Sequence, residues 1–121
     1  MAIILLAEDD GKIAAIYRKW LESERHEVLV AVNGLSGLRH VTLGKKPDLI
    51  LTDIMMPEVD GEEMLTGLAA LLGDTPAVIV TAISDTARLA AFAKAPNVKA
   101  VLRKPVGRSE VVAAIDAALG K

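Results

Sequence analysis

Apolar positions along the chain follow two rhythms. Short aliphatic runs stand at AIILLA (2–7), HEVLVAV (26–32), DLILT (48–52), PAVIVT (76–81) and KAVL (99–102). Runs of this length and composition suit strands buried on both faces. Between them the spacing turns helical. Ile13, Ile16, Tyr17, Trp20 and Leu21 recur at i, i+3, i+4, i+7 and i+8, which predicts a helix after the first strand. Segments 34–43, 61–72 and 85–94 predict three more, and Val111, Val112, Ile115, Ala118 and Leu119 give a last helix one apolar face. Punctuation agrees with this division. Asn33-Gly34 starts the second helix, Gly44 follows it, Gly73 ends the third, and Ser84 is placed to cap the fourth.

Alternating strands and helices require parallel pairing with right-handed crossovers. The fold class expected is therefore α/β: a five-stranded doubly wound parallel sheet, helices on both faces, in the flavodoxin-like order 2-1-3-4-5. No linker, repeat or low-complexity tract interrupts residues 1–121, so one domain is expected. In such sheets the functional crevice opens at the carboxyl ends of the strands, beside the point where strand order reverses. That point lies here between strands one and three.

The polar residues at those ends are Glu8-Asp9-Asp10, Asp53, Thr81-Ala82 and Lys104-Pro105. Singly, each has an ordinary role. Asp9 or Asp10 can cap a helix, Asp53 can end a strand, Thr81 is a β-branched strand residue and Lys104 a surface lysine. Together they conflict, because carboxylates crowded at one edge repel one another. A hard divalent cation resolves the conflict, since every ligand offered is oxygen. Mg²⁺ takes one or two carboxylates, keeps several waters and adds a phosphate oxygen. That leaves Asp53 able to act as a nucleophile toward a phosphoryl group. The charge on the transferring group's oxygens calls for a cation and a hydroxyl, which Lys104 and Thr81 supply. Ala82 is small enough to leave room for a phosphoryl donor.

Composition narrows the setting. Apolar residues make up 52% of the 121, but aromatics only 2%, so aliphatic side chains must fill the core. There is no Cys, which excludes disulfides and thiolate metal sites. No apolar stretch approaches a membrane span and no basic n-region opens the chain, so a soluble, cytoplasmic protein is expected. Net charge is −2, but unevenly spread. From Thr86 onward Arg88, Lys94, Lys99, Arg103, Lys104, Arg108 and Lys121 face only Glu110 and Asp116, a net +5, against −7 before it. Such polarity favours electrostatic choice of partner.

The fragments AEDD (7–10), LTDIMMPEVDG (51–61), VTA (80–82) and RKP (103–105) stand in this order, each at a strand end. This pattern resembles the receiver domain of two-component response regulators, of the chemotaxis-regulator type, over essentially the whole chain. The resemblance implies that Asp53 accepts a phosphoryl group from a histidine kinase or histidine phosphotransferase. It implies Mg²⁺, or Mn²⁺ in its place, held by Asp9, by Asp53, by the Met55 backbone carbonyl and, mainly through water, by Glu8. It implies that Thr81 hydrogen-bonds the phosphoryl group and moves when it arrives, that Lys104 pairs with it, and that the Lys104–Pro105 bond is cis. Pro57 and Gly61 fit the loop after the acceptor. Such a domain supports its own phosphorylation and autodephosphorylation and turns over no external substrate.

Two positions depart from the family. Many receivers carry Tyr or Phe three residues before the lysine, a ring that turns inward as the threonine moves; here Val101 stands there. Val106 replaces a frequent Phe and reads as core variation. The expected output is a changed helix four–strand five–helix five face, offered to an acidic protein partner, a linked output domain or a phosphorylation-dependent homodimer. No nucleic-acid reader and no membrane contact is expected of these residues. The alternative is a degenerate receiver that acts as a scaffold without phosphorylation, for which Val101 speaks. A phosphatase with an Asp nucleophile needs a second acid where Met55 stands, and a flavin module needs a glycine loop after the first strand. A stand-alone regulator and a receiver within a longer protein, a hybrid kinase included, both fit. Trp20 is assigned to packing, and His26 and His40 lack metal-ligand spacing.

Overall fold

A computed structural model describes residues 1–95 and 97–120. Lys121, counted above among the basic residues, lies outside the described residues. The elements alternate as β1 (Ile3–Ala7), α1 (Gly11–Ser23), β2 (Glu27–Ala31), α2 (Gly34–Thr42), β3 (Leu49–Thr52), α3 (Gly61–Leu72), β4 (Ala77–Thr81), α4 (Thr86–Lys94), β5 (Val98–Arg103) and α5 (Arg108–Ala118). All pairs are parallel, in the order β2-β1-β3-β4-β5.

Strand residues alternate between two cores, as a period of two requires. Ile4, Leu6, Leu49, Leu51, Val78 and Val80 face Tyr17 and Leu21 of α1 and Val111 and Ile115 of α5. Leu5, Ala7, Ile50 and Ala77 face Met64 and Leu68 of α3. A third, smaller cluster joins Ile54, Ile79 and Ile83 to Phe92 of α4. Aliphatic side chains predominate in all three, with Tyr17 and Phe92 the buried aromatics.

Four helices start from side-chain caps. Asp10 Oδ1 accepts from the N–H groups of Lys12 and Ile13 at 2.9 and 3.2 Å. Asn33 accepts from Ser36 N–H, Asp60 from Glu63 N–H and Asp85 from Ala87 and Arg88 N–H. Each satisfies donors that a helix start leaves unpaired. Two expectations change here. The cap of α4 is Asp85 and not Ser84, because Asp85 has the extended backbone that lets its carboxylate reach back. Ile16 is 49% exposed, so the buried stripe of α1 runs through Ala14, Tyr17 and Leu21. Trp20 packs against Tyr17 with ring centroids 5.4 Å apart. Both histidines serve the backbone: His26 Nδ1 accepts from Ala2 N–H at 3.1 Å, and His40 Nε2 donates to the Val30 carbonyl at 2.9 Å.

Strand register places the carboxyl ends side by side. Ala7 pairs with Ala31 and Thr52, and Thr81 pairs with Arg103. The ladder continues one residue further, into the polar positions themselves. Glu8 N–H donates to Ala31 O and Asp53 N–H to Ala7 O, both at 3.0 Å, and Lys104 N–H to Thr81 O at 2.8 Å.

The chain then turns sharply after β3. A Cβ on Gly61 would lie 2.1 Å from Asp53 O and 2.9 Å from Ile54 Cα, which only the missing side chain permits. Gly61→Ala is expected to destabilise the fold by about 2–3 kcal/mol through this backbone clash. Gly11→Ala, whose Cβ would meet nothing within 4 Å, is expected to cost nothing. Urea unfolding midpoints of the two variants check the contrast; equal midpoints would refute it.

Candidate functional site

Glu8, Asp53, Thr81 and Lys104 converge because each extends or ends a strand whose neighbour carries another of them. Glu8 is 2% exposed, Asp53 8% and Thr81 fully buried. Lys104 Nζ sits between the two buried carboxylates, 2.8 Å from Glu8 Oε1 and 2.8 Å from Asp53 Oδ2. The remaining oxygens are held by backbone. Glu8 Oε2 accepts from Asp10 N–H at 3.1 Å, and Asp53 Oδ1 from Ile54 N–H at 2.6 Å. Thr81 Oγ1 accepts from Ile83 N–H at 3.1 Å. Thr52, beside Asp53, turns its hydroxyl to the Asp53 carbonyl at 2.7 Å.

Asp9 is exposed at the crevice rim. One oxygen from each of Glu8, Asp9 and Asp53 lies within 4.8 Å of the others. These three carboxylates are the ones named from the sequence. Asp10, left open there, spends its carboxylate on the α1 cap. Met55 follows in the β3–α3 loop with its side chain 65% exposed. The Lys104–Pro105 peptide is cis. Three contacts had no signal in the sequence: the N–H groups of Asp10, Ile54 and Ile83 that hold the site's oxygens. Backbone donors are common to every residue type, so only the fold reveals them.

Three carboxylates against one ammonium leave the crevice negative. Burial raises the Glu8 pKa above its ordinary value of 4.5, and the nearby Asp53 charge adds to this, while Lys104 and the Asp10 N–H pull it back only in part. Burial alone would lower the Lys104 pKa. Hydrogen bonds to Asp53 and Glu8 outweigh it, and the pKa rises above the ordinary 10.5. The two rises differ in origin: burial raises Glu8, and the paired carboxylates raise Lys104. The donor set is all oxygen, small in number and partly open at Asp9, which fits a hard divalent cation of the Mg²⁺ kind.

Comparison with known proteins gives a consistent result. The family described as the response regulator receiver domain matches residues 4–116. Transcriptional regulatory protein PrrA of Mycobacterium tuberculosis is 34% identical over 116 residues, covering 96% of this chain and 49% of its own length. Transcriptional regulatory protein GlrR of Escherichia coli is 33% identical over 118 residues, 98% of this chain and 26% of that protein. The chain thus spans about half the length of one relative and a quarter of the other. The crystal structure of a response regulator receiver domain protein from Clostridium thermocellum superposes with a TM-score of 0.90 at 28% identity, covering 99% and 95% of the two chains. The Francisella response regulator 1452 receiver domain does so with a TM-score of 0.90 at 27% identity, over 99% and 98%.

Lys104→Met leaves two buried carboxylates without their cation, and a loss of about 3 kcal/mol is expected near neutral pH. The sign with pH follows from linkage. The Lys104 contribution is fully present below its unfolded pKa of 10.5 and fades only as pH rises through the higher folded value. Glu8, whose folded pKa is raised, favours the fold below the ordinary carboxylate range and opposes it as pH rises through its raised value. The variant's deficit should therefore shrink as pH falls toward that range and Glu8 protonates. Urea unfolding at several pH values checks this; a deficit independent of pH would assign the cost to packing instead.

Proposed function

The chain belongs to the response regulator receiver family, and from that premise we propose that it is a switch thrown by phosphorylation of Asp53. The observation that carries this reading is Asp53 itself, a buried carboxylate at a strand end, bridged by Lys104 to Glu8 and within ligand reach of Asp9. A solvated capping residue has no need of a buried cation beside it.

On this reading an Asp53 carboxylate oxygen attacks the phosphorus of a phosphohistidine on a kinase or phosphotransferase, or of a small acyl phosphate. The new bond is P–O, the bond to the donor breaks, and the donor leaves with its electron pair. Asp53 is aimed for this by its backbone, tied to Ala7 O, and by Ile54 N–H on its other oxygen. Lys104 exchanges part of its contact with the Asp53 carboxylate for the phosphoryl oxygens, and Thr81 adds its hydroxyl. Glu8, Asp9 and Asp53, with the Met55 carbonyl, would hold Mg²⁺ or Mn²⁺, which neutralises charge as the phosphoryl group arrives. The same site releases the group to water, so the domain acts on itself and on no external substrate.

Output is assigned to the face formed by α4, β5 and α5. Lys94, Lys99 and Arg103 are exposed there and form no ion pair among the described residues. Arg108, counted from the sequence with this group, turns away to Glu24 and Ser23 at the end of α1. An acidic protein surface, a linked output domain or a second copy of the chain fits the remaining basic residues. No helix is long and apolar enough to cross a membrane among the described residues, and no nucleic-acid role is assigned to the domain.

Intact mass after incubation with acetyl phosphate tests the chemistry. One phosphoryl group is expected on the wild type with Mg²⁺, and none on Asp53→Asn or without the metal. Thr81→Ala should still be phosphorylated, because it lacks a switch contact and not the nucleophile. No addition together with no Mg²⁺ affinity would favour a phosphorylation-independent scaffold.

A further inference from the structure

The β3–α3 loop carries the Met55 carbonyl that the proposed function assigns to the cation. Gly61 N–H donates to Ile54 O at 2.8 Å and closes the loop at its base. Between those ends Met55, Pro57 and Glu58 are exposed, while Met56 and Val59 turn inward to the cluster of Met64 and Leu68. Glu58 has φ +67°. That left-handed conformation costs a residue with a Cβ about 1–2 kcal/mol, so contacts elsewhere must hold the loop in it.

One such contact comes from another element. Gly34 N–H, at the first position of α2, donates to Val59 O at 2.9 Å. A helix start leaves its first donors unpaired. Asn33 takes Ser36 N–H, and the Gly34 donor is lent to the neighbouring loop. The approach admits no side chain: a Cβ on Gly34 would stand 2.2 Å from Val59 O and 2.7 Å from Val59 Cγ1. The positive-φ glycines are Gly44, Gly73 and Gly120, so Gly34 answers a need for space and not for a left-handed backbone.

The crevice gives this anchor weight. All four carboxylate oxygens of Glu8 and Asp53 already accept a hydrogen bond, from Lys104 or from the N–H groups of Asp10 and Ile54. A further oxygen offered to a cation therefore matters, and a backbone carbonyl cannot be aimed by a rotamer. Only the path of the loop aims it.

We propose that Gly34 is a positioning residue for the cation: its N–H and its missing side chain fix Val59, and through Val59 the loop that carries the Met55 carbonyl. The proposal rests on the reading of Glu8, Asp9, Asp53 and Met55 as a cation site. Contacts that orient metal ligands from outside typically change metal affinity by about 10–100-fold. Gly37, further along α2, supplies the contrast. A Cβ there would meet Met64 Sδ at 2.5 Å, with its nearest neighbours on Met64 and Ala31 and none on the loop.

Mn²⁺ binding to the full chain, read from the loss of the free-ion electron paramagnetic resonance signal, tests this, with urea midpoints measured alongside. Gly34→Ala should bind Mn²⁺ about tenfold more weakly than the wild type. Gly37→Ala should lose stability but bind as the wild type does. Val59→Gly loosens the loop at the same point without adding an atom, and it replaces Gly34→Ala, with the same expectation, should the alanine variant not fold. Wild-type affinity in the folded variant would overturn the proposal, and so would an equal loss of affinity in Gly37→Ala. A wild type that binds no Mn²⁺ would remove the cation reading itself, which the other outcomes leave standing.

Discussion

A single ammonium placed between two buried carboxylates sets the terms for this crevice. At an effective dielectric near 20, charges about 4 Å apart interact by roughly 4 kcal/mol, and each ion loses several kcal/mol of hydration on burial. Lys104 offsets part of the cost of holding the Glu8 and Asp53 carboxylates together at a buried strand edge. Conversely Lys104 reaches them only because three parallel strands end in register. β1 delivers Glu8, β3 delivers Asp53, and β5, beside β4, delivers Lys104. The sheet is thus a device for bringing residues that lie 51 and 96 positions from Lys104 within hydrogen-bond distance of it. The aliphatic interior gives this arrangement rigidity, because β3 and β4 are buried along their whole length.

The large-scale organisation was legible in the sequence because it is written in periodicity, which depends on many residues at once. Strand order followed from the alternation, and helix boundaries from polar caps. Where reading failed, a single residue had two equivalent roles. Ser84 and Asp85 are both good caps, and only backbone geometry at Asp85 decides between them. Ile16 satisfies helical spacing, yet the stripe is wider than the surface it covers, and Ile16 falls at its wet margin. Arg108 counted toward a basic face by position in the chain, but the flexible side chain found Glu24 on another element.

The candidate site was legible for a related reason. Its charged side chains are costly to bury, so their clustering at strand ends had to mean something. What could not be read was the neutral half of the site. The N–H groups of Asp10, Ile54 and Ile83 hold one oxygen each on Glu8, Asp53 and Thr81. They hold these groups alongside Lys104, but any residue other than proline carries such a donor.

The charge imbalance of the crevice also bears on why it should be a switch rather than a fixed ion cluster. A balanced, fully hydrogen-bonded network is rigid and has no use for a further charge. Here one ammonium serves two buried carboxylates, with a third at the rim, and Glu8 ionises only against the cost of burial. On the proposed function, a divalent cation held by Glu8, Asp9 and Asp53 would offset this charge and that of an arriving phosphoryl group. Thr81 is the point at which this local electrostatics meets the fold. Its hydroxyl oxygen accepts from Ile83 N–H, so this one side chain ties the charged crevice to the start of the β4–α4 connection.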